Sequence, residues 1–136
     1  MHRLLGAYQD GLFALMRIIV GFLFACHGAQ KLFGWFGGMD DKGEAAPLAS
    51  LLGLAGVIEL GGGVLVAIGL LGSYAAFIAS GQMASAYFMA HQPQGPLPIQ
   101  NGGELAALYC FVLLYIAARG SGRFSVASAL GRPDLG

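Results

Sequence analysis

Four apolar stretches, each long enough or nearly long enough to cross a bilayer, fill most of this 136-residue chain and leave it few folds to choose from. They run over 11–33, 48–71, 73–90 and 103–118. At a rise of about 1.5 Å per residue such helices are about 24–36 Å long, against a hydrocarbon core of about 30 Å. Hydrophobic residues make up 57% of the chain and charged residues 10%, against a charged share of roughly 25% in a soluble domain. The pattern predicts an all-α fold, a four-helix transmembrane bundle forming one domain over 1–136.

The punctuation between the stretches agrees. Pro47 is placed to open the second helix, Gly72-Ser73 to make a tight turn, and Pro93, Pro96 and Pro98 to keep the third connection out of helix. Arg3 precedes the first stretch, while Arg119, Arg123 and Arg132 follow the last. The excess of basic residues in these short flanks predicts that both termini are cytoplasmic, with loops 34–46 and 92–102 outside. The first of these loops carries Lys42, offset by Asp40, Asp41 and Glu44. A multi-pass protein of the cell (inner) membrane is expected, with the lipid bilayer as its surroundings. A formal net charge of +0 gives no basic footprint, so nucleic acid is not an expected partner.

Cys26 and Cys110 stand alone in apolar segments, without C-x-x-C spacing, and read as packing residues. The segment Leu23-Phe24-Ala25-Cys26 is similar to a lipoprotein cleavage box, but Arg17 interrupts the apolar run that such a signal needs.

Function reduces to a few side chains. A charge at the bilayer centre costs roughly 2.5–3.5 kcal/mol on insertion scales, so Arg17, His27, Lys31, Glu59 and Glu104 each need a partner, a cavity or a task. Arg17 and Glu59 count to similar depth, with Gln82 near them, and are expected to pair between helices one and two. Such a pair is either a structural clasp or the polar floor of a pocket in which Glu59 exchanges protons. Small residues flank both charges at helical spacing, Arg17, Gly21, Ala25 and Gly28 on one helix and Ala55, Glu59, Gly63 and Ala67 on the next. These stripes should face the interior, because small residues let membrane helices approach closely.

A second polar layer lies toward the loop side: His27, Gln30 and Lys31, then Tyr87 and His91, then Asn101 and Glu104. His27 with Lys31 and Tyr87 with His91 are i, i+4 pairs, each presenting two polar tips on one face. His27, Lys31, Glu59, Tyr87, His91, Asn101 and Glu104 are therefore the candidates for ligand binding or proton relay. Structural readings stand beside that one: Asn101-Gly102-Gly103-Glu104 has capping-box form, and Lys31 is long enough to snorkel to the interface. The His and Glu residues match no compact metal motif, so no metal site is expected. No residue pattern marks a catalytic centre.

The motifs Arg17-Ile18-Ile19-Val20-Gly21, His27-Gly28-Ala29-Gln30-Lys31-Leu32-Phe33, Gly56-Val57-Ile58-Glu59-Leu60-Gly61-Gly62, Gln82-Met83-Ala84 and Asn101-Gly102-Gly103-Glu104-Leu105-Ala106-Ala107-Leu108-Tyr109 occur in this order. Together they resemble the DoxX family of small four-helix membrane proteins, over about Leu15 to Val126. The resemblance puts weight on Arg17, Gly28, Lys31, Glu59, Asn101, Gly102, Glu104 and Tyr109. It also implies an association with redox chemistry, since the family name is attached to a small subunit of a thiosulfate:quinone oxidoreductase and to redox-stress assemblies at the membrane.

Three functions follow as expectations. The first is a redox-associated subunit or module holding a quinone-like or other amphipathic molecule in an outer-leaflet polar pocket, beside apolar and aromatic surface from Phe24, Trp35, Phe88 and Phe111. The second is a non-catalytic accessory subunit that docks to a larger membrane complex, to other redox proteins or to copies of itself. The third is transport of a small solute or a proton, for which four short helices leave little room. The absence of paired redox cysteines and of a cofactor motif in the sequence argues against an independent electron-transfer enzyme.

Overall fold

Helix ends in this chain are set by backbone hydrogen-bond supply, and they differ from the sequence expectation by up to a turn. The computed structural model describes residues 2–39 and 42–136. Four long helices carry the fold: α1 Gln9–Phe33, α2 Leu51–Ile68, α3 Gly72–Ala86 and α4 Glu104–Arg119. A 3-10 turn, Gly6–Tyr8, prolongs α1 backwards, and a π-helical turn, Tyr87–His91, continues α3 without a break. The long helices pack in chain order, α1 on α2, α2 on α3 and α3 on α4. No strand occurs among the described residues.

Pro47 does not open α2. Ser50 is the N-cap, its Oγ accepting from the Gly53 amide at 3.0 Å, because a hydroxyl can satisfy an orphan helix-end donor and proline cannot. The turn into α3 likewise falls earlier than Gly72-Ser73. Gly69, at φ 71°, takes the left-handed position, and the Leu70 amide reaches back to Leu65 O at 3.2 Å, a Schellman stop. Gly72 is instead the first residue of α3, pressed so near Ser121 that a Cβ there would stand 2.2 Å from its Oγ.

Polarity is inverted relative to a water-soluble protein. The most buried side chains include Arg17, Glu59 and Ser121, each 1% exposed, while Phe22, Leu54, Phe77 and Phe111 are 56–70% exposed. An apolar exterior over a small-residue and polar interior suits hydrocarbon surroundings. Two helical segments among the described residues, Gly6–Phe33 and Leu51–Ile68, are long and apolar enough to cross a membrane.

The α1–α2 contact is backbone against backbone. A Cβ on Gly21 would lie 2.6 Å from Gly63 O and Ala67 N; one on Gly28 would lie 2.2 Å from Leu60 N and 2.7 Å from Gly56 O. Gly63 meets Ala25 N and Gly21 O just as closely, at 2.5 and 2.6 Å. Between α1 and α4, by contrast, contact is made by rings: Phe13 on Tyr115, and Phe24 and His27 on Tyr109.

Both chain ends lie at one end of the bundle, here called the terminal end. Arg119 of α4 reaches Asp10 of α1 at 3.2 Å and lies over the Phe13 ring at 4.1 Å. The segment after α4 folds back onto the α2–α3 turn, where Ala127 N donates to Gly69 O and Leu71 N to Leu135 O. Loops 34–50 and 92–103 form the opposite, loop end. There Gln30 Nε2 holds Gly38 O at 2.7 Å and Ala46 N holds Lys31 O at 2.7 Å. Asp40 and Asp41, expected to offset Lys42, lie outside the described residues.

Replacing Gly28 by Val should push α1 off α2 and cost at least the upper part of the about 1–3 kcal/mol typical of overpacking, because the obstructing atoms are backbone. Gly61 has open space around its would-be Cβ, so Gly61→Ala should be neutral or stabilise by up to about 1 kcal/mol through helix propensity. Thermal unfolding of both variants in one mild detergent checks the contrast.

Candidate functional site

Antiparallel packing through those glycines fixes which residues of α1 and α2 stand level, and it separates the two charges expected to pair. Arg17 is level with Gly69, where a Cβ would meet its Nη1 at 2.8 Å, while Gly28 is level with Leu60. Arg17 therefore does not pair with Glu59. Its Nη1 donates to Val66 O at 2.5 Å and Ala67 O at 2.6 Å, and its Nη2 donates to Phe124 O at 2.6 Å. The guanidinium closes the C-terminal end of α2, where unpaired carbonyls and the helix dipole favour a cation. It also ties the segment after α4 to the bundle.

Glu59 is paired instead with Lys31. Nζ lies 2.6 Å from Oε2, with the two side chains 12% and 2% exposed. Lys31 is one turn further along α1 than the residue level with Glu59, and a helical side chain leans toward its own N-terminus, which brings the ammonium back over the carboxylate. The stem therefore turns inward and does not snorkel. Gln82 of α3 donates to Oε1 of Glu59 at 3.0 Å, while its own buried Oε1 has no hydrogen-bond partner among the described residues. Three helices thus meet at one ion pair.

This group lies at the bottom of a cavity of about 300 Å³ that opens toward the loop end. Phe24, Met83 and Tyr109 complete the buried walls; Met39, Leu52 and Leu105, about half exposed, stand at the mouth. His27 and His91 also line it. The Tyr109 ring stands edge-on to His27, with centroids 6.1 Å apart, and neither the phenol nor the His27 imidazole has a hydrogen-bond partner among the described residues. The lining thus offers an ion pair, two rings with free polar atoms and a spare amide oxygen against an apolar wall. Among the described residues no group of three His, Cys, Asp or Glu side chains is gathered closely enough to hold a metal ion. Cys26 and Cys110 are separate free thiols.

His91 reaches the cavity from the π-helical turn, whose wider winding shifts side chains off the α-helical register. Its Nδ1 lies 3.1 Å from the Asn101 carbonyl, which in the neutral ring fixes the proton on Nδ1 and leaves Nε2 as an acceptor. Tyr87 and Asn101 support that arrangement from outside the cavity lining. Asn101 Nδ2 donates to Gly95 O at 2.9 Å and lies 3.4 Å from the Tyr87 hydroxyl, and Gly103 packs against the Tyr87 ring. The expected capping box is not formed. Asn101 Oδ1 accepts from Gly103 N at 2.8 Å, the amide just before α4, and not from the first amides of α4 itself. Glu104 lies on the exposed face of the first turn of α4, away from the cavity, with no hydrogen bond or ion pair among the described residues.

Of the seven residues expected to bind or relay, the structure brings His27, Lys31, Glu59 and His91 to one cavity and leaves Tyr87, Asn101 and Glu104 outside it. Tyr109 and Met39 are lining residues that the polar-layer count did not supply. Tyr109 is one helical turn past Leu105 on α4, a spacing that could have marked it; Met39 is placed by the fold of its loop, which leaves no periodic signal.

Residues 12–92 match the DoxX family model. The chain belongs to the DoxX family. An uncharacterized protein of Haemophilus influenzae is 42% identical to it over 118 residues, which is 85% of this chain and 87% of that relative. No solved structure matches the chain. The matched stretch of this DoxX chain contains the Arg17, Lys31, Glu59 and Gln82 motifs; the Asn101 motif lies beyond it. Membership places the chain among membrane-associated proteins, in agreement with its apolar exterior.

Breaking a buried pair costs about 3–5 kcal/mol because the remaining charge is left uncompensated, whereas replacing both partners by apolar groups is often neutral. Lys31→Met and Glu59→Leu should each destabilise this DoxX bundle by several kcal/mol, and the double variant should recover most of the loss. A double-mutant cycle of unfolding free energies in detergent measures that coupling.

Proposed function

We propose that the chain is an integral membrane module, four helices crossing the cell inner membrane with both termini cytoplasmic. In this reading its outer-half cavity binds a quinone-like or other amphipathic molecule in association with redox proteins. The observation that carries the reading is the cavity itself, with the Lys31–Glu59 pair at its base and, around an apolar wall, the Tyr109 and His27 rings and a Gln82 Oε1 that has no partner among the described residues. Small-molecule sites have this form, a mostly apolar hollow of about 300–1,000 Å³ with a few placed polar groups. A ring bearing two carbonyl oxygens suits it. One oxygen can accept from the protons that Lys31 does not spend on Glu59, and the other from the Tyr109 hydroxyl or a His27 N–H. Glu59, ionised against Lys31 and accepting from Gln82, holds that ammonium beside such an oxygen.

The membrane placement is supported by the exposed apolar side chains around all four helices and by Arg119, Arg123 and Arg132, which follow α4 at the terminal end. The association of the family with quinone-linked enzymes favours a redox setting over solute transport.

Native mass spectrometry of the protein drawn from its own membranes in mild detergent tests the reading. A retained small molecule of quinone-like mass is expected, lost in the Lys31→Met/Glu59→Leu double variant, whose fold should hold, and kept in Glu104→Gln, whose side chain is outside the cavity. Tyr109→Phe should weaken binding roughly 2- to 10-fold, the worth of one neutral hydrogen bond. A ligand-free protein held stoichiometrically by other membrane chains would instead make it an accessory subunit. Labelling of single cysteines from either side of sealed vesicles checks topology: position 36 should react from outside and position 132 only from the cytoplasmic side.

A further inference from the structure

A second hollow adjoins the cavity, and its chemistry differs. It is an apolar slot of about 140 Å³ between α1 and α4, lined by Val20, Leu23, Leu105, Leu108, Tyr109 and Val112. Leu105 and Tyr109 also line the polar cavity, so the two spaces meet across those side chains. Leu23, Leu105 and Leu108 are 47%, 50% and 62% exposed, which opens the slot on the outer face of the helix pair. Apart from the Tyr109 hydroxyl, no side chain lining it can hydrogen-bond.

We infer that the molecule held in the cavity carries an apolar chain, with its polar ring beside Lys31 and Glu59 and the chain leaving for the bilayer through the α1–α4 slot. The inference rests on the binding reading above and specifies its ligand as a tailed one. A cavity at the bottom of the usual volume range takes a ring but not a ring with a long chain, so a tailed ligand needs an exit. The exit falls between α1 and α4 because those helices meet through side chains, the Phe24–Tyr109 and His27–Tyr109 contacts among them. The α1–α2 seam is closed by backbone. Side chains can change rotamer while the helices stay in place. The slot acts by shape. Lipid hydrocarbon is as apolar as a leucine-lined groove, so moving the chain between them gives little driving force; the groove lets the chain pass while the ring is held.

The test compares two probes on the protein in lipid nanodiscs, a tail-less substituted benzoquinone and the same ring carrying a decyl chain, with occupancy read by native mass spectrometry. Val112→Phe and Leu108→Trp each add bulk to the slot. Both should weaken the decyl probe by about tenfold or more, as overpacking of a formed contact does, and leave the tail-less ring within about twofold. The tail-less ring thereby reports that each variant is folded. Slot variants that weaken both probes equally, or neither, would overturn the inference and leave the slot to a lipid acyl chain. Wild-type protein that holds the tail-less ring and rejects the decyl one would overturn it too, with the binding reading intact. If neither probe binds the wild type, both the inference and the reading beneath it fail.

Discussion

The close approach of α1 and α2 governs the rest of the molecule. Where Gly21 and Gly28 face Gly63, Ala67, Gly56 and Leu60, there is no room for even a methyl group, so the two helices cannot slide past one another without collision. That fixed register sets Arg17 level with the end of α2 and brings Lys31 back to Glu59. A shift of one turn would leave Arg17 without its carbonyls and Glu59 without its ammonium. In low dielectric either loss is costly, so packing and electrostatics select the same alignment.

The two buried charges of α1 are handled by different physics. Among the described residues Arg17 meets no carboxylate; three backbone carbonyls, two at the end of α2 and one in the folded-back segment, accept from it, and its Nε has no partner there. It works as a fastener for the terminal end. Lys31 faces a full counter-charge, shared with Gln82 from a third helix. Helices α1 and α2 are thus tied at both ends of their seam, with α3 joined to the loop-end tie through Gln82 and the segment after α4 joined to the terminal-end tie through Phe124 O; the loop-end tie borders the cavity.

That cavity follows from a contrast between seams. Glycines close α1 against α2, while rings hold α1 and α4 apart, and the space between unequal seams is filled only in part. The π-helical turn adds His91 to the lining at the point where a regular α-helix would have carried that position to another face. Support for His91 comes from Asn101 and Tyr87, so residues on two elements hold a group that neither presents alone.

Read as letters alone, the chain is already helical, apolar along its helices and similar to DoxX proteins, and its few charges are already named as groups that the fold must accommodate. Composition and ordered motifs suffice for this, because an unpaired charge in an apolar helix is costly whichever neighbour comes to offset it. Helix existence was legible for the same reason, whereas ends were not: Ser50 and Gly69 set the limits of α2 through capping bonds, while Pro47 and Gly72, equally plausible as letters, serve other purposes. The partners of those charges come from packing in three dimensions. Depth counted along separate helices treated Arg17 and Glu59 as neighbours, but their relative height depends on the register between helices, which is set by glycine contacts spread over several turns. The same holds for Glu104, which shares a level with the cavity residues yet points away from them, since the rotation of α4 about its own axis is fixed by packing against α3 and by the rings it meets on α1.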